Sequence, residues 1–313
     1  MKRTPLLLAL LLGVACGRQA GPAEALPEVS TGQIERIENM ASEFISPRHV
    51  DVWLPEGYDP GKRYAVLYMH DGQMLFDTAI TWNHQAWRVH EVVSDLTARG
   101  LIEECIVVGV HNAGPLRGVE YFPQKPFFSL PEELLSQLEQ SAREHSETDT
   151  PPMPMADDYL RFLVEELKPL IDSRYATHSG PEHTAIMGSS MGALISWYAL
   201  CEYPEVFGRA GCISTHWPIG AEIEGEPIVH AFFDYLRNHL PPPGRHRLYF
   251  DYGTATLDSL YEPYQRQADR IMEQAGYGPD QWITRRFDGA EHNEVSWNAR
   301  LDIPLEFLLR PGQ

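Results

Sequence analysis

Short apolar runs alternate along the chain with longer amphipathic stretches. Continuous apolar runs such as residues 65–68 and 106–108 are typical of parallel strands that helices cover on both faces. Apolar side chains spaced three and four residues apart predict helices over 159–171 and 259–275, and Gly276 ends the second. The same patterns predict strands at residues 44–54, 64–70, 105–110, 183–187, 209–213, 248–252 and 282–287.

This alternation predicts right-handed βαβ units, and therefore an α/β fold with a mostly parallel, doubly wound sheet and helices on both faces. The chain has 313 residues, is 43% hydrophobic and shows no internal repeat, so we expect one domain over residues 34–311. Residues 123–156 depart from the pattern because they are rich in Pro, Glu and Ser. They predict a mobile insertion, either a surface loop or a lid over the site.

The N-terminal residues have the layout of an export signal, with a basic pair, a short apolar run and small residues. The run is too short to span a bilayer of about 30 Å, so we expect residues 1–15 to be a signal peptide. Residues 16–33 are expected to form a flexible linker. Two processing routes stay open: cleavage after Ala15 or Ala25, or lipidation of Cys16 as in bacterial lipoproteins. Either route predicts a periplasmic or extracellular protein.

The net charge limits the classes of partner, and the cysteine spacing limits the disulfides and metal sites that the chain can form. A formal net charge of −19 argues against nucleic acid and anionic lipid, since both need basic patches. Contact with a membrane is therefore expected only through a lipid anchor on Cys16. Cys105, Cys201 and Cys212 stand at irregular spacing, which predicts neither a disulfide framework nor a metal site and leaves one Cys201–Cys212 bridge open. We expect no cofactor and no metal.

The central motif is G-x-S-x-G at residues 188–192. It follows a predicted strand and begins a predicted helix, which is the strand–turn–helix arrangement of a nucleophile elbow. Ser190 would then lie at a helix N-terminus, where the backbone N–H of Met191 can stabilise an oxyanion. The alternative is a tight structural turn without chemistry.

A serine nucleophile needs a base and a group that orients the base. In the α/β-hydrolase order both follow the serine, and His292 stands beyond the last predicted strand, with a helix-cap role as the alternative. Asp258 follows the strand at 248–252 and would point at the site from the strand's end. Asp251 and Glu262 are the alternative acids.

Polar residues after other strands are expected to line the same cleft, because the ends of parallel strands meet at one edge of the sheet. Each could instead support a loop. Arg117 would meet a carboxylate or phenolate of the substrate, or pair with Glu120. The tryptophans would stack on a sugar or aryl ring, or fill core. The candidates are Asn112, Arg117, Tyr121, the loop 214–217 with His216 and Trp217, and Trp82, Asn83 and Trp87.

Further motifs surround the elbow: MHDGQ at 69–73 with LFD at 75–77, VGVHN at 108–112 with Arg117 and Glu120-Tyr121, DYGT at 251–254 with Asp258, and GAEH at 289–292. Together they extend over residues 40–310. In these motifs the chain resembles the esterase group of α/β hydrolases, which includes esterase D-like, enterochelin-esterase-like, and feruloyl and acetyl xylan esterase-like proteins.

The resemblance implies an α/β-hydrolase fold and a triad of Ser190, Asp258 and His292. It also implies that the loop Asp71-Gly72-Gln73 borders the substrate. In that loop Gln73 would supply the second oxyanion N–H, and Gly72 would allow close approach.

These features predict a secreted serine hydrolase that cleaves a carboxylic ester through an acyl-enzyme. The expected partner is a small-molecule or carbohydrate ester, with siderophore esters among the candidates. Two alternatives stay open. One is an acyltransferase on the same fold, and the other is a non-catalytic binding protein.

Overall fold

The computed structural model describes residues 25–145 and 153–311, and eight strands within them form one sheet. The strands are β1 (Gln33–Met40), β2 (Arg48–Leu54), β3 (Ala65–His70), β4 (Cys105–Val110), β5 (Thr184–Ser189), β6 (Arg209–Ile213), β7 (Arg247–Gly253) and β8 (Trp282–Phe287). Their order across the sheet is β1-β2-β4-β3-β5-β6-β7-β8. Strands β3 to β8 run parallel, whereas β1 and β2 are antiparallel to their neighbours. The predicted α/β class with a mostly parallel sheet is confirmed.

The edge strand β1 is the element that the hydrophobic pattern missed. Its sequence, QIERIENM, is mostly polar, and none of its side chains is fully buried because the strand lies at the outside of the sheet. The strand predicted at 44–54 begins only at Arg48. The central parallel strands match their predictions closely, since continuous apolar runs report burial on both faces.

Helices connect the strands and cover both faces of the sheet. They are α1 (Val89–Ala98), α2 (Arg117–Glu120), α3 (Gln124–Phe128), α4 (Glu132–His145), α5 (Ala156–Arg161), α6 (Lys168–Arg174), α7 (Met191–Glu202), α8 (Pro227–His239), α9 (Glu262–Gln274), α10 (Glu294–Asn298) and α11 (Asp302–Leu309). A π-helical turn, Phe162–Leu167, joins α5 to α6. The helix predicted at 159–171 is therefore the middle of a longer helical segment.

Side chains of each central strand alternate between two hydrophobic layers. In β3, Val66 and Tyr68 face the layer that α5 to α9 cover, whereas Leu67 and Met69 face the layer of α1 and α11. Both faces of the sheet are thus closed. The edge formed by the carboxyl ends of the strands is left as the place where polar side chains can gather.

The segment predicted as a mobile insertion, residues 123–156, is largely helical and packed, so the surface-loop reading is wrong for its first half. Phe127 of α3 is buried, and Lys125 pairs with Glu202 of α7. Tyr198 of α7 donates a hydrogen bond of 2.5 Å to Asp157, directly after the segment. Local composition did not show these partners because they come from α7, far along the chain. Residues 146–152 lie outside the described part.

The predicted signal peptide and Cys16 lie outside the described residues. The predicted flexible linker, residues 16–33, is wrong for its second half, which packs against the domain. The indole nitrogen of Trp53 donates a hydrogen bond of 2.8 Å to the carbonyl of Thr31, and Val29 packs against the layer of α1 and α11. Residues 25–33 are therefore ordered by contacts with distant parts of the chain, although their composition predicts a flexible segment.

The described cysteines, Cys105, Cys201 and Cys212, are all buried and free, so the Cys201–Cys212 bridge left open by the sequence does not form. Burial raises the pKa of the Cys105 thiol to about 12, which keeps it protonated at neutral pH. Within residues 25–145 and 153–311, no helix combines the length and apolar character needed to cross a bilayer.

A buried ion pair joins the antiparallel strand β2 to α2. Arg48 donates two hydrogen bonds to Glu120, at 2.9 and 2.7 Å, and the two side chains are 2% and 0% exposed. Removing one partner of a buried pair leaves the other charge uncompensated. We therefore expect E120Q to lower the free energy of unfolding by about 3 kcal/mol, measured by urea denaturation.

The matched control is E104Q. Glu104 pairs with Lys62 on the surface, where both side chains are about half exposed, and solvent screens such pairs. We expect the urea midpoint of E104Q to stay near that of the wild type. Equal midpoints for E120Q and E104Q would contradict a stabilising role for the buried pair.

Candidate active site

Ser190 occupies a strained turn between β5, which ends at Ser189, and α7, which begins at Met191. Its φ of 59° and ψ of −117° lie outside the regions that non-glycine residues ordinarily adopt. A Cβ on Gly188 would lie 2.9 Å from the carbonyl carbon of Gly192, so the turn closes only with glycine there. The motif thus folds as the strand–turn–helix that the sequence predicted.

Backbone hydrogen bonds hold the strained turn in place. The N–H of Ser190 donates a hydrogen bond of 2.9 Å to the carbonyl of Ile213. The carbonyl of Ser190 accepts one of 3.3 Å from the N–H of His216. The turn is therefore fixed to β6 and to the loop that follows it. Met191 is the first residue of α7, where N–H groups have no partner within the helix, so its N–H is available to a ligand.

His292 and Asp258 are joined by a hydrogen bond of 2.5 Å between Nδ1 and Oδ1. The second oxygen of Asp258 accepts from the N–H of Gly253 at 2.7 Å and from the hydroxyl of Ser214 at 2.5 Å. Burial alone would raise the pKa of Asp258, but the hydrogen bonds from His292 and Ser214 outweigh burial and lower it. The carboxylate is thus ionised at neutral pH.

The alternatives to these two residues are engaged elsewhere. Asp251 accepts two hydrogen bonds from Arg300, at 3.1 and 3.0 Å, and Glu262 binds Arg266 on the surface. The N-cap of α10 is Asn293, whose side chain accepts from the N–H of Ser296. Asp258 is therefore the carboxylate that binds His292, and His292 is not the helix cap.

The phenol of Tyr261 lies between the turn of Ser190 and the imidazole of His292. Its hydroxyl lies close to the Ser190 side chain and 2.7 Å from Nδ1 of His216. Its ring meets the imidazole of His292 edge-on, with centroids 5.8 Å apart. The fully buried side chain of Tyr261 thus lies next to both Ser190 and His292.

The loop after β3 approaches the elbow from the other side. Asp71 has a left-handed φ of 56°, and Gly72, Gln73 and Met74 form one 3₁₀ turn. A Cβ on Gly72 would lie 2.5 Å from the carbonyl of Gly109, so the loop can pack on β4 only with glycine. The N–H of Gln73 lies in the first turn of this short helix, where donors lack partners within the helix.

Asp71, Asn112, Arg117 and Tyr121 form one polar network beside this loop. Arg117 donates two hydrogen bonds of 2.7 Å to Asp71, and the amide of Asn112 donates to it at 2.6 Å. The Asp71 N–H donates to the Tyr121 hydroxyl at 3.3 Å. Burial alone would raise the pKa of Asp71, but Arg117 outweighs burial and lowers it. Pairing of Arg117 with Glu120 is wrong, because Arg48 takes that carboxylate.

Of the loop after β6, His216 faces the site and Trp217 does not. His216 is 6% exposed, and its Nε2 is buried without a hydrogen-bond partner. Burial, with His292 and Arg117 nearby, lowers the pKa of His216 to about 4, so its ring is neutral at neutral pH. Trp217 is fully buried, stacks on Trp197 and donates to a glutamine of α9. The prediction that Trp217 contacts substrate is therefore wrong, because its side chain fills the core. Tyr121 is also fully buried and supports the Asp71 loop rather than reaching the cleft surface.

The remaining tryptophans divide in the same way. Trp82 is 76% exposed, and its neighbour Asn83 donates a hydrogen bond of 2.9 Å to Glu294 of α10. Trp87 is buried and stacks on Trp297, which in turn meets the ring of His292. Of the three tryptophans that the sequence proposed for the cleft, Trp82 is therefore the one exposed to a ligand.

Sequence reasoning gave no role to several residues that contact the site. Tyr261 follows Asp258 by three residues, and Trp297 and Arg300 stand on the segment after His292. The hydroxyl of Ser214 binds Asp258, Trp297 and Arg300. The signal that could have found Tyr261, Trp297 and Arg300 is their short distance in sequence from Asp258 and His292.

The arrangement brings a strained hydroxyl, an imidazole bound to a buried carboxylate, and unpaired backbone N–H groups to one edge of the sheet. These are the parts that nucleophilic acyl transfer requires. Among the described residues, no group of three His, Cys, Asp or Glu side chains is arranged to hold a metal ion.

Comparison with known proteins gives a family and a set of structural neighbours. The family model described as "Putative esterase" matches residues 41–303. The uncharacterized protein YbbA of Bacillus subtilis (strain 168) is 27% identical over 270 residues, which cover 83% of this chain and 92% of that protein.

Two solved structures share the fold. A ferulic acid esterase from Anaeromyces mucronatus superposes with a TM-score of 0.59 at 19% identity, covering 91% of this chain and 95% of that one. The enterobactin esterase FES from Shigella flexneri superposes with a TM-score of 0.62 at 17% identity, covering 90% of this chain and 61% of that one. The predicted α/β-hydrolase fold is confirmed.

The Arg117–Asp71 pair predicts a pH-dependent loss of stability. In the wild type the pKa of Asp71 is lower in the folded chain than its unfolded value of about 4. The ionised carboxylate therefore contributes stability above the unfolded pKa, and this contribution is lost as pH falls through the folded pKa. In R117M the buried carboxylate loses its partner, so we expect about 2 kcal/mol less stability at pH 7. The difference from the wild type should shrink below pH ~4, as measured by urea unfolding at both pH values.

The control is R285M, which removes an exposed arginine of β8. Its stability relative to the wild type should not follow the titration of Asp71. A stability loss in R117M that stays constant from pH 7 to pH ~3.5 would contradict the assigned role of the pair.

Proposed function

The chain belongs to the esterase family of ester hydrolases, as its motifs predicted, and we propose that it cleaves carboxylic esters as a serine esterase. Ser190 is the nucleophile, His292 the general base and acid, and Asp258 the residue that orients His292. The observation that carries the proposal is the 2.5 Å hydrogen bond between Nδ1 of His292 and Asp258. The ring of Tyr261 meets the same imidazole, and its hydroxyl lies close to the Ser190 side chain.

The orientation of the imidazole supports the direction of proton transfer. Because Nδ1 of His292 is bound to Asp258, Nε2 is the nitrogen left to take the proton of Ser190. The Ser190 oxygen attacks the ester carbonyl, and the imidazolium then protonates the leaving alcohol. Water, activated by the same imidazole, releases the acid from the acyl-enzyme.

Two backbone donors form the proposed oxyanion hole. The N–H of Met191 begins α7, so the helix dipole adds to its effect on a developing negative charge. The N–H of Gln73 comes from the loop that Gly72 lets pack closely on β4. Each such donor is worth roughly 10²–10³ in rate.

The rim of the site supports an ester with a sizeable apolar or aromatic part. Leu257 and Leu260 flank Asp258, and Val295 follows His292 by three residues; all three are exposed large apolar side chains. Trp82 is also exposed, and its neighbour Asn83 donates a hydrogen bond to Glu294 of α10, the helix that carries Val295. Exposed apolar side chains this close in sequence to Asp258 and His292 can hold the apolar part of a ligand.

The proposed substrate is a small-molecule or carbohydrate ester. One structural neighbour is a ferulic acid esterase in complex with ferulic acid, and another is an enterobactin esterase. Trp82 would stack on a sugar or aryl ring. Asp71, Asn112, Arg117 and His216 would form the polar side of the cleft, with Gly72 allowing close approach.

Export is the second part of the proposal. Residues 1–15 would direct secretion and Cys16 would carry a lipid anchor, because small residues lead directly into that cysteine. In a bacterial host that expresses the full chain, we expect a clickable palmitate analogue to label the wild type and C16S to lose the label. C105S, which removes a buried cysteine of the domain, should keep it.

The outcomes separate the two processing routes. Unlabelled wild type in the periplasm or medium would favour ordinary signal-peptidase cleavage over lipidation. Retention of the wild type in the cytoplasm would contradict export altogether.

Catalysis is tested with a fluorophosphonate probe and p-nitrophenyl acetate. We expect S190A to lose labelling completely, and S190A and H292A to lower kcat by about 10⁴- to 10⁶-fold, with a somewhat smaller loss for D258N. H230A, which removes an exposed histidine of α8, is the control and should behave like the wild type. Equal labelling of S190A and wild type would disprove the nucleophile. New ester formed from an added sugar or alcohol would identify acyl transfer instead of hydrolysis.

A further inference from the structure

Ser214 has an unusual position directly behind the proposed acid. It follows β6 with a left-handed φ of 46° and is fully buried. Its backbone N–H donates to Asp251, both to the carbonyl and to Oδ1, at 3.0 Å each. Its hydroxyl lies 2.5 Å from Oδ2 of Asp258, the oxygen that does not face His292.

The hydrogen of this hydroxyl has a single place to go. Two further groups approach the Ser214 oxygen: Nη2 of Arg300 at 2.9 Å and Nε1 of Trp297 at 3.1 Å. Guanidinium and indole nitrogens are donors only, whereas a serine hydroxyl has two lone pairs and one hydrogen. With both lone pairs occupied, the hydrogen must point to Asp258.

From this geometry we infer that Ser214 is a positioning residue for the proposed reaction. Its hydroxyl, fixed by Arg300 and Trp297, sets the rotation of the Asp258 carboxylate and thereby the orientation of His292. The inference rests on the proposed serine-esterase function and adds to it a residue that touches neither substrate nor nucleophile.

Arg300 is itself held so that it cannot turn away. It is 3% exposed, and Nε and Nη2 both bind the carboxylate of Asp251. Asp251 in turn accepts from the N–H of Ser214 and the hydroxyl of Tyr249. Asp251 of β7, which the sequence offered as an alternative acid, therefore acts on Asp258 through Arg300 and Ser214.

A double-mutant cycle distinguishes positioning from a general structural role. S214A should lower kcat for p-nitrophenyl acetate by about 10- to 100-fold, because a small misplacement of a catalytic group has effects of that size. KM should stay within about twofold, since Ser214 does not contact substrate. In a D258A background the same change should alter kcat by less than about twofold, because the carboxylate that Ser214 orients is gone.

T184V is the matched control. Thr184 is also fully buried, but it lies at the first position of β5, at the opposite edge of the sheet, and donates to the carbonyl of Gly180. Loss of its hydroxyl should leave kcat within about twofold of the wild type. Should S214A fail to fold, S214G removes the same hydroxyl and tolerates the left-handed φ.

The inference would be overturned if S214A lowered kcat by the same factor in the wild-type and D258A backgrounds. An S214A variant with wild-type kcat would overturn it too. If the wild type shows no turnover that S190A abolishes, the proposed function itself fails and the inference falls with it. Ser190-dependent turnover combined with equal factors would overturn the inference alone.

Discussion

The parallel register of β3 to β8 is the constraint on which the site depends. In that register Met69 lies beside Met187, and Gly188 beside Cys212, so neighbouring strands end at the same edge. Residues that directly follow these strands are brought within contact whatever their distance in sequence. The hydrophobic layers on both faces keep the sheet closed elsewhere, so the strand ends are where buried charge and hydrogen-bonding groups accumulate.

Each of three neighbouring strands is followed by a non-glycine residue with a positive φ. Asp71 follows β3, Ser190 follows β5 and Ser214 follows β6, and all three have φ between 46° and 59° without being glycine. Strain of this kind persists only where surrounding contacts fix it. Arg117 holds Asp71, and Asp251 holds Ser214. Each of these residues therefore belongs to a hydrogen-bonded network at the same edge of the sheet.

The sequence predicted those parts of the molecule that depend on local pattern. Buried parallel strands, the elbow, and the order of Ser190, Asp258 and His292 all follow from apolar runs and motif context. It failed where partners come from far along the chain. Nothing local shows that Arg117 would bind Asp71 instead of Glu120, nor that Trp217 would be enclosed by α7 and α9. The edge strand β1 was missed for a related reason, because a strand exposed at the sheet's edge carries no apolar run.

The distribution of the site along the chain has a consequence for folding. The proposed oxyanion loop comes from residues 71–73, the proposed nucleophile from the middle of the chain, and the proposed acid and base from its last quarter, so the contacts that assemble the site are long-range. Proteins dominated by such contacts fold slowly, since loop-closure entropy must be overcome before the contacts form. The candidate site is therefore assembled late in folding. A chain emerging from the ribosome completes it only once its C-terminal helices have docked.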